Sequence, residues 1–334
     1  MKKQGFNRPL KTKIDDDELT LPTQSSEFAT RLILKQPTHW KEGFNNYADR
    51  FGWSDWCWDQ LDGTRKDRVV RNLEHLVPGS HATGFLGQEV ILFHMQETIN
   101  KHRQVPLPPI KSRHTSEVTD SRLQVLMNVV EDWRPHHIHY DVKSRLPDDV
   151  QKELEKLMPG KNDSDEERAA KFKSMEMILD DFYENRSQDA DSAPCLLHVS
   201  QQERCKLWSV EDDEDEDAHV TKMPLDLLGI GMPCDDVTRM GAKKGKLGKT
   251  RLSHLCFNAD TANQKPAVVV TECGEDWTPC ELAKKMHDTH DCEYFRLESK
   301  IAGDSYHRVR TVARLWDRDK VISFKIILWF ILSD

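Results

Sequence analysis

Residues 266–322, PAVVVTECGEDWTPCELAKKMHDTHDCEYFRLESKIAGDSYHRVRTVARLWDRDKVI, form the stretch with the clearest local punctuation in the chain. Residues 267–271 are β-branched after the first alanine and predict a buried strand. Thr278-Pro279-Cys280-Glu281 predicts a helix start: threonine as N-cap, proline at N1 and Glu281 at N3 to close a capping box. The helix should run to about Asp288, with Leu282, Ala283 and Met286 as its apolar positions. Residues 294–301 and 306–316 flank Ala302-Gly303-Asp304-Ser305 and predict a hairpin. Alternation places Val309, Thr311, Ala313 and Leu315 on one face. Arg308, Arg310, Val312, Arg314 and Trp316 fall on the other, so the expectation is a small sheet backed by a helix, showing an arginine row.

This strand–helix–hairpin order resembles the first two-thirds of a double-stranded-RNA-binding domain. Pro279 and Leu282 match the family's helix, Tyr294 its strand, Gly303 and His307 its loop. Val309, Thr311 and Ala313 match its second strand. The resemblance covers residues 278–322 and implies contact with RNA shape, 2′-hydroxyls and phosphates. The family's third strand and Lys-rich final helix have no counterpart here. In their place stands the apolar run 321–332, which is about 12 residues long, carries Lys325 and is too short for a spanning helix.

Composition frames this unit. The chain has 334 residues, enough for two ordinary domains. Its 37% hydrophobic and 31% charged content is polar for a packed globule, which predicts disordered parts. A net charge of −9 argues against wholesale coating of nucleic acid while leaving room for a local basic patch. Met1-Lys2-Lys3 precedes polar residues, so no secretory leader is expected. The eight cysteines then read as reduced thiols in a nuclear or cytoplasmic protein.

Residues 1–23 are polar and expected to be disordered. From there helices follow one another. Ser25 or Ser26 can cap one through Phe28 and Leu32, and Trp53, Trp56 and the Asp59–Leu61 region suggest another. Val69, Val70, Leu73 and Leu76 stripe a third, which ends at Pro78-Gly79. Residues 85–101 and a helix from Thr115 or Ser116 to Val130 complete an all-α unit over 24–135. Its tryptophans, among them Trp40, Trp53, Trp56 and Trp58, serve either as core or as a surface for a protein partner.

Residues 136–220 read as a helical and acidic linker. In His136-His137-Ile138-His139-Tyr140-Asp141, an extended backbone puts His137, His139 and Asp141 on one side. His139-Tyr140-Asp141 also resembles the His-x-Asp of iron/2-oxoglutarate oxygenases, with His198 or His307 as a third ligand, though the helical surroundings do not suit that fold. Pro147–Met158 predicts a charged helix. Ser164 with Glu167 forms a capping box for another helix through Phe172, Met175, Leu179 and Phe182. The acidic block 211–217 is a solvated linker.

Residues 221–334 form the last unit. Lys243, Lys244, Lys246, Lys249 and Arg251 make a basic, glycine-rich segment. It is not a phosphate-cradling P-loop, because Lys243 stands where that loop needs glycine. Cys273, Cys280, His287 and His290, with Cys292 nearby, offer a zinc alternative that lacks the close Cys-x-x-Cys pair.

The fold expected from sequence is therefore α+β: an all-α helical N-terminal domain, a charged linker and a small C-terminal α/β unit with a β-hairpin. The expected function is a non-enzymatic RNA-associated adaptor. Its helical domain would bind protein, and Lys243, Lys244, Lys246, Lys249, Arg251, His307, Arg308 and Arg310 would meet the phosphates of double-stranded or structured RNA. No cofactor, resident metal or membrane partner is expected. The alternatives are a protein-only scaffold and, more remotely, the metal-dependent oxygenase.

Overall fold

The computed structural model describes residues 53–82, 87–129, 131–198, 205–206, 225–234, 245–275, 277–298 and 309–320. The expectations for residues 1–52, the acidic block 211–217, Lys243, Lys244, His307, Arg308 and the apolar run 321–332 lie outside them.

Helices α1 (Trp53–Asp59) and α2 (Gly63–Glu74) open the described chain. Asp62 caps α2 by accepting from the Arg65 amide. Then come β1 (Pro78–His81), α3 (Gly87–Lys101), β2 (His114–Ser116), α4 (Asp120–Asn128) and β3 (His137–His139). A 3-10 turn, Val142–Arg145, leads to α5 (Asp148–Lys156) and the long α6 (Asp165–Asn185). The capping box on α6 forms, Ser164 accepting from the Glu167 amide and Glu167 from the Ser164 amide. Strands β4 (Ser192–Ala193) and β5 (Cys205–Lys206) pair as a separate small ladder. The chain continues through β6 (Leu227–Gly231), α7 (Arg251–Gln264), β7 (Val268–Gly274), α8 (Cys280–Met286), β8 (His290–Glu298) and β9 (Val309–Asp317).

Seven of these strands make one sheet in the order β3-β2-β1-β6-β7-β9-β8. β1 pairs in parallel with both β2 and β6, β2 with β3, and β6 with β7. β9 alone runs against its neighbours β7 and β8. This corrects the expected architecture. The predicted hairpin exists as β8–β9 and alternates as expected, with Thr311, Ala313 and Leu315 buried. It is not an independent unit, because β9 slots between β8 and β7 and makes the hairpin the edge of a large sheet. The segment 24–135 is not an all-α domain, since it supplies β1 and β2. Pro78-Gly79, which resembles a helix stop, is the start of an inner strand of the sheet, beside the central β6. Residues 136–141, expected as part of the linker, supply β3.

The core explains why these short strands hold. Leu228, Ile230, Val269, Cys273, Ala313 and Leu315 on one sheet face pack with Leu154, Phe172, Met175, Leu179, Leu255, Phe257 and Leu282 from α5, α6, α7 and α8. On the opposite face Ile138 packs with Leu123 and Leu126 of α4. Leu73 of α2 and Ile99 of α3 share a further cluster with Trp58, which buries rather than displays that tryptophan. Helices on both faces shield parallel strands from water, the usual condition for such strands. Among the described residues no helix is long and apolar enough to cross a membrane.

Candidate functional site

β1 and β6 lie side by side at the centre of the sheet, yet the chain leaves them in opposite directions. From β1 it winds outward through α3 to β2 and β3, and from β6 through α7 to β7. Where neighbouring strands part company in this way, their connecting loops diverge and leave a crevice above the strands' carboxyl ends. The residues at that rim are Ala82 after β1, Glu117 after β2, and Met232 and Pro233 after β6.

Several contacts fix the rim. Ala82 has a left-handed backbone with φ 49°, a conformation more common for glycine, and its amide donates to the Ser116 carbonyl at 2.7 Å. Gly84 and Gly87 follow in the sequence, and α3 begins at Gly87. The start of α3 is pinned to the sheet: Gln88 Nε2 donates to the Gly79 carbonyl at 2.9 Å, and buried Glu89 accepts from Ser80 Oγ at 2.6 Å and Ser112 Oγ at 2.8 Å. Gly229 on β6 is needed for this approach, because a Cβ there would stand 1.8 Å from Gln88 Oε1. Buried Glu117 turns its carboxylate back on its own chain, accepting from the Val118 and Thr119 amides at 2.9 and 3.1 Å and pairing with Arg122 at 3.4 Å. On the other side of the crevice, His254 Nε2 of α7 donates to the Pro233 carbonyl at 2.6 Å.

Beneath the rim lies a buried polar network. Asp260 of α7 accepts from Arg145 Nη1 at 2.7 Å, from Gln264 Nε2 at 2.5 Å and from the Tyr183 hydroxyl at 3.3 Å, and His81 Nε2 lies 3.2 Å from it. The other ring nitrogen of His81 meets Ser116 Oγ at 2.7 Å. Burial opposes the charge on Asp260, but Arg145 and the hydrogen bonds from His81 and Gln264 outweigh it, and the carboxyl stays below its ordinary pKa. Burial, reinforced by Arg145, pushes His81 and His114 below the ordinary histidine value and His139 down to about 3, so these rings stay neutral. Tyr183 is pushed up by burial and then by Asp260.

The Ser116–His81–Asp260 chain has the composition of a nucleophilic triad without its geometry. Serine meets Nδ1 and aspartate Nε2, the reverse of the serine-hydrolase arrangement, and all three residues are at most 1% exposed. The network instead ties the ends of β1 and β2 to α7 and to the turn after β3.

The residues singled out by sequence sit elsewhere. Arg251 and Lys246 both pair with Glu281, whose carboxyl is therefore held low despite its burial. Glu281 closes no capping box, because α8 begins after Pro279, which has no side-chain acceptor and leaves Glu281 at N2 rather than N3. Lys249 is exposed in the turn before α7. Arg310 pairs with Glu272 across the β7–β9 ladder, and Arg314 with Glu293 at 2.7 Å. Arg310 and Arg314 thus face carboxylates of neighbouring strands. The expected adaptor, a helical protein-binding domain joined to a separate RNA-contacting unit, is overturned by a single sheet that draws its strands from all three segments.

The oxygenase alternative falls with it. His139 Nδ1 donates to the Pro194 carbonyl at 2.7 Å, and Asp141 caps the turn Val142–Arg145 rather than facing a metal with it. The zinc alternative does not assemble either. Cys273 is buried on β7, His290 Nε2 donates to the Pro266 carbonyl at 2.7 Å, and His287 lies at the surface beside Asp288. Among the described residues, the group whose potential ligand atoms do converge is His137, Cys195 and His198.

Glu117, Ala82 and the Arg145–Asp260 pair have no role in the sequence reading. The available signal was the spacing Gly79-x-x-Ala82-x-Gly84-x-x-Gly87 between a short strand and a helix, which Pro78-Gly79 disguises as a helix end.

No family model matches the chain, and no curated protein does. Solved structures similar to it include a prophage-encoded protein from E. coli designated a DNA modification methyltransferase. The match has a TM-score of 0.36 at 10% identity, covering 73% of this chain and 47% of that one, so the chain spans less than half that structure's length. A likeness of that extent assigns no activity.

Proposed function

We propose that this chain is a group-transfer enzyme of the Rossmann-like methyltransferase kind, taking a nucleoside cofactor in the crevice above β1 and β6. The observation that carries the reading is the sheet order. With β9 set aside, the six parallel strands run 3-2-1-4-5-6 in chain order, the doubly wound arrangement that binds nucleosides at its switch point. A reversed strand wedged before the last position fits a methyltransferase sheet.

The rim residues suit such a cofactor. A carboxylate just after the second strand is placed to accept from ribose hydroxyls, and Glu117 stands there with acceptor capacity left on Oε2. The first turn of α3 presents backbone amides to the cofactor's carboxylate end. His254 holds the Met232–Pro233 rim in place opposite. S-adenosylmethionine, when bound, supplies an electrophilic methyl group on sulfur.

Calorimetric titration of the full chain with S-adenosylmethionine and S-adenosylhomocysteine tests the reading. Saturable binding of both is expected. Glu117→Gln should weaken it by about tenfold, the scale of one charged hydrogen bond, while His287→Ala at the surface leaves it unchanged. No binding of either compound to folded protein, or equal binding by Glu117→Gln, would defeat the proposal.

A further inference from the structure

We propose that His137, Cys195 and His198 form a zinc site that fastens the open edge of the sheet. Their candidate ligand atoms, two imidazole nitrogens and one thiol sulfur, all lie within 4.8 Å of one another. His137 and Cys195 are buried, while His198 reaches partly to solvent. The His137 and His198 rings stand edge to face, with centroids 5.3 Å apart.

The backbone delivers this trio by design of the fold rather than by proximity in sequence. His137 is the first residue of β3, the terminal strand of the sheet. Cys195 and His198, spaced Cys-x-x-His, lie in the connection between β4 and β5. That connection is held along β3 by two hydrogen bonds, the Leu196 amide donating to the Ile138 carbonyl at 2.8 Å and His139 Nδ1 to the Pro194 carbonyl at 2.7 Å. Leu196 and Leu197 pack against the Ile138 cluster on the same strand. A rigid strand and a strapped loop therefore present three ligands to one point.

Two nitrogens and one sulfur suit zinc, a borderline-soft ion without directional demands of its own. Tetrahedral Zn–N and Zn–S bonds put ligand atoms roughly 3.3–3.6 Å apart, so side-chain movements of about 1 Å would close the cage. Water takes the fourth position on the His198 side. Binding requires the thiolate, so Cys195 releases its proton to solvent as the metal enters. The site lies at the amino end of the edge strand, away from the switch-point crevice, and it stands independently of the methyltransferase reading. Its role is to clamp a loop over an exposed sheet edge, which would otherwise offer unpaired backbone groups to other chains.

The test uses the full chain, loaded with zinc and dialysed, with bound metal quantified by mass spectrometry. About one zinc per chain is expected. Cys195→Ser and His198→Ala should each weaken retention by at least about tenfold, whereas Cys273→Ser and His287→Ala should not change it. Because a ligand variant can also misfold, cobalt is added to the unaltered protein as a second measurement. A thiolate-to-cobalt charge-transfer band with intense tetrahedral ligand-field absorption supports the site. Folded protein that takes up no zinc, zinc retained in full by both ligand variants, or cobalt bound without the sulfur band would overturn it.

Discussion

Arg145 and Asp260, 115 residues apart in sequence, meet at 2.7 Å with both side chains almost completely buried. Breaking such a pair leaves one charge stranded, while replacing both partners removes the desolvation cost together with the attraction. Asp260→Ala should therefore lower unfolding stability by about 3–5 kcal/mol, and the loss should extend to the contacts of His81, Gln264 and Tyr183. Arg145→Met combined with Asp260→Leu should recover much of it. Urea denaturation of the two singles and the double decides this, and a single-variant loss below about 1 kcal/mol would show that the pair is solvated.

His81 sets a pH dependence. Its folded pKa lies below the ordinary value of 6.5, first because of burial and, among the opposing charges, because of Arg145. Below about pH 6.5 the unfolded chain takes up a proton that the folded chain refuses, so folding stability falls as pH falls. The slope contributed by this residue is at most about 1.4 kcal/mol per pH unit. His81→Gln, which cannot titrate, should show a correspondingly shallower decline in urea midpoints between pH 7 and pH 5. Parallel declines would refute the assignment.

Gly229 makes room for α3. An alanine Cβ at this position would meet Gln88 Oε1 at 1.8 Å and Cδ at 2.9 Å, and Gln88 is held by its bond to the Gly79 carbonyl. Gly229→Ala should destabilise the protein by about 1–3 kcal/mol, the scale of overpacking. Adding Gln88→Ala should relieve the clash and restore part of the loss. If the second substitution only adds to the first, the two residues are not in contact.

The hairpin should not fold by itself. Residues 221–334 contain β6, β7, β8 and β9 but lack β1, which pairs with β6 over Pro78–His81. They also lack α6, whose Phe172, Met175 and Leu179 cover the same sheet face. The isolated segment is expected to show no cooperative thermal transition, while Leu315→Ala in the full chain should lower overall stability by about 2–5 kcal/mol. A sharp, two-state melt of the segment would contradict the single-sheet architecture.

What the sequence alone settled was local. The β-branched run in β7, the alternation of β9 and the capping box of α6 are each written in neighbouring residues, because strand pleat, helix periodicity and N-cap chemistry act over a few positions. The sheet's other half was hidden for an equally physical reason. Pro78-Gly79-Ser80-His81, His114-Thr115-Ser116 and His137-Ile138-His139 are short, largely polar strands whose side chains find their partners across the sheet and on the elements packed on it: Ser80 with Glu89 and Thr115, His81 with Ser116 and Asp260, His114 with Arg145. No hydrophobic periodicity marks these strands, because what makes burying them tolerable is polar pairing that forms only once the sheet is assembled, such as His81 with Asp260. Tertiary structure assembled those pairs, and in doing so it decided that β1 lies inside the sheet beside β6, that the arginines of β9 face carboxylates, and that the chain has a switch point at all.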